Sequence, residues 1–166
     1  PLGADPARLA VAGDSAGGGL AVATLLAARE QGLPQPAAIA VFSPWADISR
    51  SGSSMRTKDG ADPLFSYDAM GWYAGRYVPA GDRSAPLVSP VFAALAGLPP
   101  LLIQAGSHEV LLDDAVRLAA NAGRRALYGP DNANWAIPAL YLAPKADPLW
   151  QPDAVLQPSV YDVHQD

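Results

Sequence analysis

The chain has 166 residues, of which 16% are charged, and a formal net charge of −5 at pH 7. This length supports one domain with a real core and is too short to expect two. The acidic balance, without any cluster of Lys or Arg, excludes the electrostatic footprint of a protein that binds nucleic acid or an anionic membrane surface. Because the chain has no cysteine and only two histidines, it excludes a disulfide framework and a thiol nucleophile, and it predicts no metal site.

No stretch of the sequence predicts a membrane span. The longest candidate, residues 91–106, is interrupted by Pro99, Pro100 and Gln104. No basic region precedes an apolar stretch near the start, so we expect no signal peptide and a cytoplasmic location. The chain opens on Pro1 rather than on methionine, and we therefore expect a piece of something longer, or a trimmed chain.

The first elements in chain order predict a βαβ unit. Residues 8–13 form a short apolar run that stops at a glycine, which is typical of a buried parallel strand. Residues 16–30 predict a helix that is apolar nearly all round and therefore sandwiched deep in the domain. Gly32 and Pro34 end it. Residues 37–42 predict the next strand, so the fold class is α/β, a parallel sheet flanked by helices.

Further along, polar and aromatic segments separate the second strand from a third. Residues 66–77 carry four aromatic side chains and predict a helix above a substrate cleft or against the sheet. Residues 101–105 predict the third strand. Residues 110–122 predict an amphipathic helix whose apolar face lies opposite its charged residues. The expected apolar positions are Leu111, Leu112, Val116 and Leu118, and the expected charged ones are Asp113, Asp114 and Arg117.

The character of the chain changes after Gly123, where six prolines are spread over the last 43 residues. We predict that residues 1–123 are the C-terminal part of an α/β-hydrolase domain and that residues 124–166 are a divergent, Pro-rich tail. Within this tail, residues 137–143 look like another apolar strand that runs into an Asp-Pro-Leu sequence at 147–149. One hypothesis is a frameshift or gene fusion within residues 121–125.

Residues 13–17 read Gly-Asp-Ser-Ala-Gly, a Gly-x-Ser-x-Gly sequence between the first predicted strand and the long helix. Here the serine occupies a sharp strand-to-helix turn, and small residues on both sides let the backbone close. The N–H of the next residue and the positive end of the helix then face a developing oxyanion. The pattern predicts Ser15 as a nucleophile and Ala16 as an oxyanion-binding residue.

Two other interpretations fit the glycines alone. A phosphate-binding loop is disfavoured because the dinucleotide fingerprint requires glycine at position 15, and because the Lys-Ser/Thr pair of a P-loop is missing. A purely structural turn, with Ser15 as the helix N-cap, remains open on the motif alone.

The wider set of motifs resembles the hormone-sensitive-lipase-like esterases. The order and spacing agree over residues 2 to about 123. The motifs that carry the resemblance are Gly13-Asp14-Ser15-Ala16-Gly17-Gly18-Gly19, Ser43-Pro44-Trp45-Ala46-Asp47, Ala61-Asp62-Pro63-Leu64, Ser89-Pro90-Val91 and Leu98-Pro99-Pro100-Leu101-Leu102-Ile103-Gln104. The resemblance implies an α/β-hydrolase fold, a Ser-Asp/Glu-His triad, a small-molecule ester substrate and no cofactor.

The triad acid is expected in the loop after the third strand, buried against the histidine that it orients. Aligning residues 109–113 with the Asp-Pro-Leu-x-x-Asp sequence of the family places Glu109 at the acid. Setting the strands flush places His108 there, which cannot supply an anion, so we choose Glu109. A surface carboxylate that favours the helix dipole is the alternative. Asp113 and Asp114 are expected on the solvated face of the helix.

The triad histidine is the least certain element of the pattern. His164 is the only histidine downstream of the acid, and chain order alone supports it as the general base; a residue so near the end is often solvated. The His-Gly-Gly sequence that supplies further oxyanion donors in the resembled family does not occur among the fourteen residues before Ser15. We therefore expect the isolated chain to hydrolyse esters poorly.

Three functions are compatible with these features. The leading one is hydrolysis of short-acyl carboxylic esters through Ser15, Glu109 and His164. The second is a degenerate fragment without a function of its own. The third is a non-catalytic small-molecule receptor on the same scaffold, since the gibberellin receptors of plants resemble these esterases and lack a working triad histidine.

Overall fold

A computed structural model describes residues 3–128 and 139–143 of the chain. The described part alternates strands and helices. The strands are β1 (Ala10–Asp14), β2 (Ala38–Phe42), β3 (Leu101–Gly106) and β4 (Ala139–Ala143), and the helices are α1 (Ala16–Glu30), α2 (Ser54–Thr57), α3 (Tyr67–Tyr77) and α4 (Leu112–Tyr128). Two short 3-10 turns, Pro6–Arg8 and Pro90–Phe92, complete the elements.

The four strands form one parallel sheet in the order β1-β2-β3-β4. Asp14 at the end of β1 is paired with Phe42 at the end of β2, which is paired in turn with Gln104 of β3. Parallel strands need crossover connections, and α1 supplies the one between β1 and β2. The predicted fold class is confirmed. All carboxyl ends lie along one edge of this sheet, and the loops that follow them are therefore neighbours.

Two elements differ from the predicted bounds in the second half of the chain. α4 begins at Leu112 and continues to Tyr128, six residues past the end of the helix predicted over 110–122. The predicted strand of the tail is present as β4, paired with β3 over Leu102–Gly106. The rest of the tail lies outside the described residues, so the division of the chain after residue 123 and the fusion hypothesis both stay predictions.

The main core lies between the sheet and its helices. Alanine, valine, leucine and isoleucine side chains from α1, the strands and α4 fill it, because the strands of a covered parallel sheet present apolar residues to both faces. Its most deeply buried large members are Leu26, Ile39, Val41, Ile103 and Leu118, each at most 1% exposed.

α1 differs from the prediction of a helix buried on all sides. One face packs on the sheet through residues that include Val22, Leu25 and Leu26, whereas Leu20 is 60% exposed. The reason is the position of β1 at an outer edge of the described sheet, which leaves one side of the β1–α1 unit without a packing partner among the described residues.

A second apolar cluster joins the connection between β2 and β3 to the residues just before α4. It joins Trp45 and Ile48 to Met70 and Ala74 of α3 and to Leu111. α3 therefore packs on loops that follow the strands and contacts none of the strands through this cluster. Its N-terminus is capped by the Ser66 side chain, which accepts a hydrogen bond from Ala69 N at 3.2 Å. Within residues 3–128 and 139–143, no helix is long and apolar enough to cross a membrane.

Candidate active site

Ser15 occupies the single residue between the end of β1 and the start of α1, as the motif predicted. Its backbone has φ 52° and ψ −121°, a left-handed conformation that costs a residue with a Cβ about 1–3 kcal/mol. Its side chain makes no capping hydrogen bond to the helix. The geometry therefore disfavours the structural alternative, in which the Ser15 side chain caps the helix.

The strained turn is held by hydrogen bonds from both sides. Ser15 N donates to the carbonyl of Phe42 at 2.9 Å, and the carbonyl of Ser15 accepts from Trp45 N at 2.8 Å. Gly18 N donates to the same carbonyl at 3.0 Å. The end of β2 and the loop that follows it therefore fix the turn, and strain of this kind persists only where the surroundings over-determine it.

The glycines of the motif have unequal roles. A Cβ on Gly13 would collide with the backbone of Gly17, and a Cβ on Gly19 would collide with the carbonyl of Trp45. Gly17 has no described atom within 4 Å of the position of its Cβ. Gly13 therefore lets the turn close, and Gly19 lets α1 approach the loop after β2.

Ala16 is the first residue of α1. The first amides of a helix have no carbonyl partner within it, and the aligned peptide dipoles place partial positive charge there. The N–H of Ala16 therefore has no acceptor within α1, as the predicted oxyanion-binding role requires.

Glu109 lies in the loop between β3 and α4, and one of its two oxygens is fully engaged. Oε1 accepts hydrogen bonds from Ser43 Oγ at 2.8 Å and from Gly106 N at 2.9 Å. Oε2 is buried and has no hydrogen-bond partner among the described residues. A buried carboxylate oxygen without a donor is costly, so this oxygen is available for one.

The predicted nucleophile and the predicted acid lie at the same edge of the sheet. Ser15 follows β1 directly and Glu109 follows β3 by three residues, with β2 between these strands. Ser43, the first residue after β2, is held on the β3 side: its N–H donates to Gln104 O at 2.6 Å and its hydroxyl donates to Glu109. Two of the predicted site residues are thus brought to one edge by the parallel order.

The comparison with known proteins assigns the family. The sequence matches the family described as "alpha/beta hydrolase fold" over residues 1–126. The chain belongs to this family. An acetyl-hydrolase of Streptomyces hygroscopicus is 50% identical over 113 residues, which are 68% of this chain and 38% of the relative. An esterase of Acinetobacter venetianus is 36% identical over 124 residues, which are 72% of this chain and 40% of the relative.

Solved structures of this family agree. An esterase from the bacterial hormone-sensitive lipase family is 40% identical with a TM-score of 0.72, over 86% of this chain and 44% of that one. EstE5, soaked by p-nitrophenyl butyrate, is 42% identical with a TM-score of 0.73, over 85% of this chain and 44% of that one. The resemblance to hormone-sensitive-lipase-like esterases is confirmed. The hydrolase chain spans about two fifths of the length of these curated relatives.

Only one of the two histidines lies within the described residues. His164, the predicted general base, lies outside the described residues. His108 lies beside the acid, and its Nδ1 is 2.8 Å from Ser107 Oγ. Among the described contacts, no hydrogen bond joins His108 to Ser15 or to Glu109. Over the same residues, no group of three or more His, Asp or Glu side chains could hold a metal ion.

The expectation that Asp114 lies on a solvated helix face is wrong. Asp114 is 0% exposed, and its Oδ2 accepts hydrogen bonds from Ala46 N at 3.0 Å and from Asp47 N at 2.8 Å. Burial first, and then the negative charge of Asp47, raise its pKa to about 8. Asp114 is therefore protonated at neutral pH.

Asp47 is the ionised partner in this cluster. It is 0% exposed and pairs with Arg117 at 2.7 Å. Burial favours the neutral acid, but hydrogen bonds from Ser49, Ser51 and Arg117 outweigh it and leave the pKa of Asp47 lowered. The cluster ties the loop after β2 to α4.

The other predicted helix positions need smaller corrections. Asp113 is partly buried, and it accepts hydrogen bonds from Ser53 Oγ and Ser54 N instead of facing only solvent. Val116, expected on the apolar face, is 39% exposed. A signal for the true face was present: Leu111, Asp114, Ala115 and Leu118 recur at helical spacing, which places the aspartate on the apolar side.

The sequence did not predict two contacts that hold Glu109 and its neighbouring peptide. Ser43 appears in the sequence only as the start of a motif, and its contact with Glu109 spans 66 residues. Asp62, from the Ala-Asp-Pro-Leu motif, accepts a hydrogen bond from Val110 N at 2.9 Å, while its other oxygen accepts from Leu64 N at 2.8 Å. Asp62 therefore fixes the peptide that follows Glu109. No local pattern in the sequence pairs these residues.

Proposed function

We propose that this α/β-hydrolase chain carries the nucleophile and the acid of a carboxylic ester hydrolase, with Ser15, Glu109 and His164 as its triad. The observation that carries the proposal is the strained turn of Ser15, at the same sheet edge as the partly buried carboxyl group of Glu109, whose Oε2 has no hydrogen-bond partner among the described residues. A structural turn would not need a second group of this kind.

In the proposed reaction, Ser15 Oγ attacks the ester carbonyl as a base takes its proton. The tetrahedral oxyanion is stabilised by the N–H of Ala16 and by the positive end of α1. Collapse expels the alcohol and leaves an acyl group on Ser15, which water then hydrolyses by the same steps in reverse roles.

The role of Glu109 is to orient and stabilise the imidazole that moves the proton. Its Oε2 is the acceptor for the imidazole N–H, since Oε1 already accepts two hydrogen bonds. The base is assigned to His164 because it is the only histidine that follows Glu109 in the sequence, in the chain order nucleophile, acid, histidine of this fold.

We propose short-acyl esters as the substrates. The support is the relatives: one at 50% identity is named an acetyl-hydrolase, and EstE5, at 42% identity, was soaked by p-nitrophenyl butyrate. The chain on its own is expected to turn such esters over slowly, because it carries no His-Gly-Gly sequence upstream of Ser15. Removing one oxyanion donor typically lowers kcat by about 10²–10³.

Labelling with a fluorophosphonate tests the proposal, because the probe reacts with an activated serine even where turnover is slow. We expect one equivalent of label, mapped by mass spectrometry to the peptide that contains Ser15, and none in Ser15→Ala. A chain that folds but takes up no label would contradict the proposal and favour a binding module or an inactive fragment. Rapid turnover of p-nitrophenyl butyrate by the isolated chain would instead overturn only the expected impairment.

A further inference from the structure

Ser43 is placed between the nucleophile turn and the acid and has an uncommon backbone. Its φ is 41°, a conformation that residues with a Cβ adopt at a cost. Its N–H is fixed by Gln104 O at 2.6 Å. This backbone directs the hydroxyl to Glu109 Oε1 at 2.8 Å.

A glutamate needs more support than an aspartate in this position. Its longer side chain has one more rotatable bond, so its carboxylate can present either oxygen, in several orientations, to a neighbouring imidazole. Here two donors converge on Oε1: Ser43 Oγ from the end of β2 and Gly106 N from the end of β3. The Gly106 donor leaves the carboxylate free to rotate about one hydrogen bond, whereas the pair of donors fixes its plane.

We propose that Ser43 is a positioning residue: its hydroxyl holds Oε1 of Glu109 and thereby fixes the direction in which Oε2 is presented. This rests on the proposed function. Ser43 acts through Glu109 and touches neither the substrate nor Ser15 Oγ. Its loss therefore lowers kcat and leaves KM unchanged.

A purely structural role for Ser43 makes a different prediction. If only its left-handed backbone mattered, Ser43→Gly would be tolerated, because glycine adopts positive φ without strain. Ser43→Ala, which keeps the same strain as serine, would then leave the activity unchanged as well. If the hydroxyl matters, both variants lose the same activity, and Ser43→Gly does so without a lower Tm.

The experiment compares the unsubstituted chain with three single variants, Ser43→Ala, Ser43→Gly and Glu109→Gln. It also includes the double variant that combines Ser43→Ala with Glu109→Gln. We expect both Ser43 variants to lower kcat for p-nitrophenyl butyrate, and the rate of fluorophosphonate labelling at Ser15, by about tenfold. In the Glu109→Gln background, Ser43→Ala should add less than twofold, since both act through one group. Ser84→Ala is the matched control, because Ser84 makes the same hydroxyl-to-carboxylate bond with the exposed Asp82, and it should leave both rates unchanged.

Unchanged rates in both Ser43 variants, or full multiplication of the two losses in the double variant, would overturn the proposal. Failure of the proposed function looks different: the unsubstituted chain would neither hydrolyse nor label. In that event urea denaturation of the unsubstituted chain, Ser43→Ala, Glu109→Gln and the double variant decides about Ser43. Non-additive unfolding free energies show that the serine holds Glu109, and additive ones overturn the proposal.

Discussion

Glu109 and Asp114 lie five residues apart in the sequence around the start of α4, and their carboxyl groups are held in a similar way. Each has one oxygen that accepts two hydrogen bonds and another that is buried without a partner among the described residues. Their surroundings differ. Asp114 faces the ionised Asp47 and is protonated at neutral pH, whereas Glu109 receives its donors from Ser43 and Gly106 at the carboxyl edge of the sheet.

A carboxyl group with one hydrogen-bonded oxygen and one buried, unpartnered oxygen can therefore have either of two roles. Next to another carboxylate it takes up a proton and becomes a neutral structural link. At the sheet edge that carries Ser15, the open oxygen of Glu109 accepts the imidazole N–H in the proposed triad. The two groups differ in burial and in neighbouring charge: Asp114 is 0% exposed and faces the ionised Asp47, whereas Glu109 is only partly buried.

The largest expected difference is in activity. Glu109→Gln keeps the shape and removes the charge that would stabilise an imidazolium, so we expect kcat for p-nitrophenyl butyrate to fall by about 10³–10⁴. Asp114→Asn is the matched substitution and should change kcat by less than about threefold, because Asp114 touches no reacting group. Labelling rates at Ser15 check both variants if turnover is slow. Equal losses would mean that the two carboxyl groups are not functionally distinct.

The next effect is on stability. Arg117→Met leaves the buried carboxylate of Asp47 without its cation, and removing one partner of a buried pair typically destabilises by about 3–5 kcal/mol. Because the Arg117 side chain is one third exposed, we expect a smaller loss, about 2–3 kcal/mol in urea denaturation. Arg76→Met, on the exposed side of α3 over Trp72, should cost less than about 1 kcal/mol. Equal values for the two variants would contradict a specific role for the Asp47–Arg117 pair.

The third effect is a pH dependence that belongs to Asp114 alone. Its pKa is about 8 in the folded chain and 3.8 when unperturbed, so between these values the folded state holds a proton that the unfolded state has released. The stabilising contribution of this group is complete below about pH 4 and is lost as the pH rises to 8. The unfolding free energy of Asp114→Asn minus that of the unsubstituted chain should therefore rise by about 2 kcal/mol or more from pH 5 to 8. Above pH 8 this difference should level off. A constant gap across this range would show that Asp114 is ionised when folded.

The smallest expected effect concerns the segment between Glu109 and Asp114, which Asp62 holds through Val110 N. Asp62→Asn replaces one acceptor oxygen, so either Val110 N or the amide of Leu64 loses its partner. We expect a loss of about 1 kcal/mol in unfolding free energy, together with a two- to threefold lower kcat because the loop that carries Glu109 is less firmly held. Asp82→Asn, on an exposed loop, should change neither. An unchanged kcat in Asp62→Asn would indicate that Glu109 is positioned by Ser43 and Gly106 alone.

The features that could be read from the sequence depend on residues close together in the chain. The strands, the helices and the turn of Ser15 follow from apolar runs and from glycines within a few positions of one another. Gly13 is needed because the Gly17 backbone approaches it, a contact across only four residues. Ala16 follows Ser15 directly, so its role in the site was also a local matter.

The features that only the tertiary structure decided connect distant parts of the chain. Ser43 and Glu109 are 66 residues apart, and Asp114 is 67 residues from the amide of Asp47 that it accepts from. A charged residue is expected outside because burying it alone costs several kcal/mol. Here that cost is offset by amides from the loop after β2 and by a proton on Asp114. These groups come together only once the strands have assembled into the parallel sheet.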